Sequence, residues 1–323
     1  MDLLVLGGTE FVGRAVVEEA LGRGWRVTVF HRGRHPAPPG VRVLTGDRAT
    51  GDLGALARGE WDAVVDTWSG PPRAVADAAA VLGRRVGRYA YISSRSVYAY
   101  PVPAPLDETA PVVEGGDGDY AAVKRGGELA ALEAYGDAAL LVRAGLVLGP
   151  WENVGRLPWW LRRIAEGGDV LAPGPRELEL QYIDVRDLAA WTLDAVAARR
   201  SGPYNLVSEP GHATMGALLD ACAHVTGSGA RLRWADPEVI TEAGIEGWTD
   251  LPVWLPPGEL YESVHRGDVG KALAAGLRCR PVTETVRDTW DWLRSLPGPP
   301  PLRPDRPAPG LARDKEAAVL ARL

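Results

Sequence analysis

Tyr120-Ala-Ala-Val-Lys124 sets a phenol and an ammonium four residues apart. On a helix such residues stand one above the other on a single face, so both can reach one ligand. A nearby ammonium favours phenolate over phenol and draws a group of reference pKa about 10 toward working pH. A tyrosine tuned in this way passes a proton to or from a carbonyl or alcohol oxygen as hydride moves at the carbon. The spacing alone recurs on many solvated helix faces, so its weight comes from its surroundings. It lies one strand after a serine cluster and a half-domain after a glycine-rich turn. Lys124 is also one of only three lysines, with Lys271 and Lys315, among 36 basic residues.

The elements that must position this pair follow a regular alternation. Residues 2–6 form an apolar run ending in Gly7-Gly8-Thr9-Glu10-Phe11-Val12-Gly13, and a helical pattern continues through Val16, Val17, Ala20 and Leu21. Strand, glycine turn and helix are the context that a dinucleotide-binding turn requires. Gly7 permits the sharp turn, and the residues from Gly8 and Thr9 onward present backbone N–H groups to a pyrophosphate. Gly13 lets the helix pack close to the strand. Glu10 stands where a middle glycine is common, and the same stretch is compatible with an ordinary strand-to-helix turn.

A second strand, 26–30, ends in His31-Arg32-Gly33-Arg34. At that strand end an acid binds the free 2′-hydroxyl of NAD, whereas arginine accommodates the 2′-phosphate of NADP. With no acid present, Arg32 and Arg34 favour NADP, Arg32 the more strongly; a solvated basic loop is the plainer alternative. Strands are expected at 41–45, 61–66 and 88–93, with a helix over 71–83 between the last two. Asp47, after the third strand, is a candidate acceptor for the adenine amino group, with Arg48 stacking or pairing beside it. Thr67 and Trp68 leave the fourth strand beside the expected cofactor. The fifth strand runs into Ser93-Ser94-Arg95-Ser96, whose hydroxyls point toward the ligand crevice, because that crevice lies at the carboxyl ends of parallel strands. A sixth strand is expected at 138–143. The pattern predicts an α/β chain with a doubly wound parallel sheet of the Rossmann type.

Beyond residue 150 the character changes to short helices, short strands and many turns, which predicts a smaller C-terminal α+β substrate domain. The expected division is a dinucleotide-binding domain at 1–150, to which 181–207 returns, and a substrate domain at 151–180 and 208–296. A proline-rich strap and a charged amphipathic helix, packing on the body or on a partner, occupy 297–323. Twelve tryptophans against two phenylalanines are unusual. Most suit the core of a small domain, while tryptophans at a cleft stack on planar or sugar-like ligands. Trp151, Arg156 and Trp254 are candidate substrate walls, and Ser96 a further substrate contact.

A chain of 323 residues suits two packed units. Its net charge of −6 argues against a nucleic-acid platform, which normally carries a basic face. Two cysteines, Cys222 and Cys279, are too few for a disulfide framework, and five scattered histidines suggest no metal site. No basic leader precedes an apolar stretch, and no run of 18 apolar residues appears, so a cytoplasmic setting is expected.

Taken together these residues resemble the short-chain dehydrogenase/reductase superfamily, in the extended or atypical branch often labelled NAD-dependent epimerase/dehydratase. The resemblance rests on Gly7–Gly13, Gly46-Asp47, Ser93-Ser-Arg-Ser-Val-Tyr98, Tyr120-x-x-x-Lys124, Arg143-Ala-Gly-Leu-Val-Leu-Gly-Pro150 and Tyr182-Ile-Asp-Val-Arg-Asp187, in the family's order. It implies that Tyr120 is the acid/base, that Lys124 binds the nicotinamide ribose and tunes Tyr120, and that Ser94 orients the substrate oxygen. Family sugar dehydratases carry Thr-Asp-Glu where this chain has Ser94-Arg95-Ser96, so elimination of water loses its acid and base. Family sugar epimerases usually carry an acid for NAD after the second strand, where this chain has His31-Arg32. The balance favours NADPH-dependent reduction of a carbonyl or imine, with the substrate between the fifth and sixth strand ends and the second domain. A nucleotide-sugar epimerase holding NAD(H) or NADP(H) permanently is the alternative, and a cofactor-sensing or RNA-binding relative a third. Relatives often form homodimers through the Tyr-x-x-x-Lys helix and its neighbour, and the faces of 71–85 and 119–134 leave the oligomeric state open.

Overall fold

The computed structural model describes residues 1–101 and 105–323; residues 102–104, in the proline-rich loop 101–118, lie outside the described residues. The chain divides into two units. The first comprises Met1–Gly145, Val185–Val207 and Asp268–Arg278; the second comprises Leu146–Asp184, Ser208–Gly267 and Cys279–Leu323.

The first unit is built on a seven-stranded parallel sheet. Six strands are β1 (Asp2–Leu6), β2 (Arg26–His31), β3 (Arg42–Thr45), β4 (Ala63–Asp66), β5 (Tyr89–Ser94) and β6 (Ala139–Ala144), and Gly202–Leu206 is the seventh. Their spatial order is Gly202–Leu206, β6, β5, β4, β1, β2, β3. The central strands are continuous apolar runs because both sheet faces are covered. Among the described residues the first five α-helices are α1 (Phe11–Gly22), α2 (Arg73–Leu82), α3 (Tyr120–Tyr135), α4 (Arg156–Ala165) and α5 (Val185–Ala197). Helices α1 and α5 pack together, as do α2 and α3. Val75, Ala78, Ala79 and Leu82 of α2 join Leu4, Leu6, Val64, Tyr89 and Tyr91 of the sheet in one core. This is the doubly wound architecture expected from the sequence.

Register decides which residues meet. Leu6 pairs with Phe30 and with Asp66, Asp66 pairs with Tyr91, and Ser94 pairs with Ala144. The glycine turn, His31, Thr67 and Ser94 therefore leave the sheet at one edge. The strand order reverses between β1 and β4, and parallel sheets bind ligands at such a point.

The second unit pairs Leu146–Leu148 with Tyr182–Asp184, Asp169–Pro173 with Arg231–Ala235, and Glu179–Leu180 with Ala213–Thr214. Helix α4 and the helices Met215–Thr226 and Val282–Ser295 pack among themselves. The stretch 268–278, assigned from sequence to the substrate domain, belongs to the first unit. The strap and terminal helix dock on the second. Gly310 N donates to Thr249 O at 2.8 Å, and Arg303 N donates to Asn153 O at 2.9 Å. Glu316 is 3% exposed and accepts from Arg163 Nε at 2.7 Å and from Leu171 N at 3.2 Å. Removing one partner of a buried pair leaves the other charge uncompensated, so Glu316→Ala should destabilise the chain by about 3–5 kcal/mol in urea unfolding. A change below about 1 kcal/mol would mean that the terminal helix is not anchored through this carboxylate. Among the described residues no helix is long and apolar enough to cross a membrane.

Candidate active site

Gly7 and Gly8 adopt φ of 118° and 94°, a region closed to most side chains. Gly7 N donates to Phe30 O at 2.9 Å, which fixes the turn to the next strand. A Cβ on Gly8 would lie 2.9 Å from Val29 Cγ1, and one on Gly13 would lie 2.6 Å from the Gly8 backbone N. A side chain at Gly13 would force the turn and α1 apart, whereas one at Gly8 would press on Val29 of β2 and one at Gly7 on Thr67. Glu10 occupies the cap position of α1, but its side chain accepts no capping hydrogen bond, and the first turn carries no acid. Instead the Glu10 carboxylate is exposed, 3.4 Å from His35 Nε2. A helix start whose N–H groups carry no side-chain cap is the arrangement a pyrophosphate needs. Thr9, Phe11 and Val12 supply the surrounding backbone, and Thr67 Oγ1 donates to Leu6 O at 3.0 Å against Gly7.

At the end of β2, His31 Nδ1 accepts from Gly33 N at 3.0 Å. Arg32 and Arg34 are exposed beside it. Asp47 caps its own turn, accepting from Ala49 N at 2.9 Å. Arg48 departs from the expected role. It is 6% exposed and forks onto Asp66 at 2.6 and 2.8 Å, with further bonds to Ala74 O. A guanidinium so committed has its planar edge turned into the fold, so the expectation that it stacks on or pairs near adenine is corrected. Burial opposes ionisation of Asp66, yet the Arg48 charge and hydrogen bonds from Arg48, Tyr89 and Trp68 N hold its carboxyl below the usual range.

Helix α3 begins at Tyr120, with Asp119 as its cap accepting from Ala122 N at 2.9 Å. Tyr120 is 40% exposed, whereas Lys124, one turn on, is 3% exposed. The Lys124 ammonium donates to Trp68 O and to Ile92 O, each at 2.7 Å, and lies 4.9 Å from the Tyr91 ring centroid. Burial keeps the Tyr91 phenol protonated, its pKa pushed well up. The helix is fixed to the sheet by Glu128, which is fully buried. It accepts from Ser93 Oγ at 2.8 Å, from Arg143 at 2.9 and 3.0 Å, and from Arg125 at 2.9 Å. Ser94 ends β5 and caps the turn Arg95–Val97, against which α3 packs. Its hydroxyl accepts from Ser96 N and donates to Ser96 Oγ, each at 3.1 Å. Ser94, Tyr120, Lys124, Trp68 and the glycine turn thus belong to one unit and one region of it.

The other substrate candidates belong to the second unit. Trp151 is half-buried, its ring 5.7 Å from that of Trp292. Arg156 starts α4 with its guanidinium 5.1 Å from the Trp248 ring. Trp254 is a correction: it is 0% exposed, its indole N–H donates to Gly174 O at 2.9 Å, and it is core rather than wall.

Sequence reasoning overlooked Glu152. This buried carboxylate accepts from Arg156 N at 2.7 Å and Leu157 N at 3.1 Å, capping α4. The available clue was an acid just before a helix start, where carboxylates favour the free N–H groups and the positive end of the helix dipole. Burial pushes its carboxyl up to about 7, against the opposing pull of Arg156 and the backbone N–H groups. A carboxyl whose pKa is raised on folding stabilises fully below its unfolded value of about 4 and loses that contribution as pH rises through the folded one. From this group alone the chain should lose about 3 kcal/mol between about pH 4 and pH 8. Glu152→Gln should flatten that slope in unfolding curves taken across the range; an unaltered slope would assign it elsewhere.

The family model for the NAD dependent epimerase/dehydratase family matches residues 3–207, and the chain belongs to that family. Solved structures agree in fold. The Bordetella bronchiseptica enzyme WbmH, solved in complex with NAD+, is 18% identical, with a TM-score of 0.67 over 91% of this chain and 98% of that one. A putative epimerase from Burkholderia cenocepacia J2315 is 21% identical, with a TM-score of 0.68 over 91% and 98%. A UDP-glucose 4-epimerase from Thermus thermophilus, in complex with NAD, is 21% identical, with a TM-score of 0.65 over 91% and 99%. No curated protein matches the chain.

Proposed function

We propose that the protein is an NADP(H)-dependent oxidoreductase that reduces a carbonyl, or an imine, of a small molecule, with Tyr120 as the proton donor. The observation that carries this reading is the Lys124 ammonium held by two backbone carbonyls one helical turn from a half-exposed tyrosine. When bound, the nicotinamide supplies or accepts hydride at its C4. The backbone of Gly7–Gly13 binds the pyrophosphate, Arg32 the 2′-phosphate, and Lys124 the nicotinamide ribose. The Ser94 hydroxyl orients the substrate oxygen. Tyr120 delivers its phenolic proton to that oxygen as negative charge develops there, and the neighbouring ammonium stabilises the phenolate that remains. Arginines in place of an acid after β2 support NADP over NAD.

The family assignment favours a second reading, an epimerase that oxidises and re-reduces one carbon of a nucleotide sugar with a retained cofactor. Two of the neighbours above are named as epimerases. The two readings use Tyr120, Lys124 and Ser94 alike and differ in the fate of the cofactor. Purified protein distinguishes them. A reductase consumes NADPH one-for-one with a carbonyl substrate, whereas an epimerase copurifies with cofactor and consumes none. Protein that neither retains nor oxidises either nicotinamide would remove both readings.

A further inference from the structure

Lysine is a poor choice for a fixed charge, because its four-carbon stem is flexible and its ammonium has no preferred direction. Lys124 is nevertheless held to one place by Trp68 O and Ile92 O. Ile92 lies within β5, so its carbonyl is set by the sheet. Trp68 lies in an exit loop, beyond the end of β4, and something else must set its carbonyl.

We propose that Asp66, Arg48 and Trp68 form a positioning relay that places the Lys124 ammonium. The significance of the relay rests on the role assigned to Lys124 under the proposed function. Asp66 is the last residue of β4 and is 0% exposed. One of its oxygens accepts from Trp68 N at 2.9 Å, and the two together take both arms of Arg48. Arg48 in turn lies with its guanidinium 4.9 Å from the Trp68 ring centroid. The indole Nε1 donates to Pro71 O at 3.0 Å. The Trp68 amide and ring are therefore fixed independently, and the carbonyl between them has little freedom. That carbonyl accepts from Lys124 and also from the Tyr91 hydroxyl at 3.1 Å. Tyr91 is pressed onto α3 at Gly127, where a Cβ would collide with its hydroxyl.

A buried ion pair is a weak source of stability, since desolvation offsets most of its attraction. As a means of fixing a loop it is effective, because a fork on a carboxylate defines a plane as well as a distance. Asp66, Arg48 and Trp68 act through Lys124 in this scheme, as positioning residues. Their loss would leave Lys124 on its helix but release its ammonium from the ribose position.

The scarcity of lysine allows a direct test. Trace acetylation of the full chain with acetic anhydride, read by mass spectrometry, reports Lys124 against Lys271 and Lys315 as internal references. Lys271 donates to Pro203 O and Lys315 to Gly244 O, both far from the relay in sequence. In Trp68→Ala, which strands no buried charge, Lys124 labelling should rise about tenfold relative to the other two. Trp68→Phe keeps a ring over Arg48 but loses the Nε1 bond to Pro71 O, and should label less than Trp68→Ala. Arg48→Met should behave like Trp68→Ala; if it fails to fold, the tryptophan pair decides. Unchanged Lys124 labelling in Trp68→Ala overturns the relay, as does an equal rise at all three lysines. The functional reading is checked separately with Lys124→Met and NADPH. If that variant binds NADPH like the wild type, the role of Lys124 fails while the labelling result stands.

Discussion

Tyr120→Phe should lower turnover by about 10²–10⁴-fold, the usual worth of a positioned general acid or base. The variant keeps the ring, the start of α3 and the Asp119 cap, so its fold and its NADPH affinity should be those of the wild type. The measurement is NADPH oxidation against a carbonyl compound that the wild type reduces, paired with a binding titration. Loss of rate with retained affinity assigns the phenol to proton transfer. Turnover within about fivefold of wild type would exclude Tyr120 as the proton donor, because such a change is below the range a general acid contributes.

The second large effect is expected at Gly13. An added Cβ would lie 2.6 Å from the Gly8 nitrogen, and backbone cannot swing away as a flexible side chain can. Overpacking of this kind costs about 1–3 kcal/mol. On the turn proposed to bind the pyrophosphate, the same strain should weaken NADPH by roughly 10- to 100-fold. Gly13→Ala should therefore raise the dissociation constant by that factor in calorimetry. An affinity within about twofold of wild type would mean that the turn does not grip the dinucleotide.

Much of this was legible in the sequence, for reasons that particular residues make clear. The runs 2–6 and 26–30 lie within β1 and β2, and 61–66 contains β4, because buried parallel strands are uninterrupted apolar stretches ended by glycine or polar residues. Gly7, Gly8 and Gly13 announced themselves because positive φ and close backbone approach admit little else. What stayed hidden depended on register. Arg48 and Asp66 are 18 residues apart, and nothing local in either segment says that two strand ends bring them together. A basic residue after a strand looks the same whether it faces a ligand or a buried acid. Trp254 was indistinguishable from Trp151 by composition, although Trp254 is 0% exposed and Trp151 is half-buried against the same core. The return of 268–278 to the first unit carries no motif, and the docking of the terminal helix turns on Glu316 meeting Arg163 across 153 residues.

In the proposed reading a nicotinamide dinucleotide seats on the glycine turn, with its ribose at Lys124. Calorimetric titration of the purified chain with NADPH and with NADH tests it most directly. One NADPH per chain should bind, more tightly than NADH, and Lys124→Met should weaken it. Heats indistinguishable from dilution for both nucleotides, from protein shown to carry none already, would contradict the account.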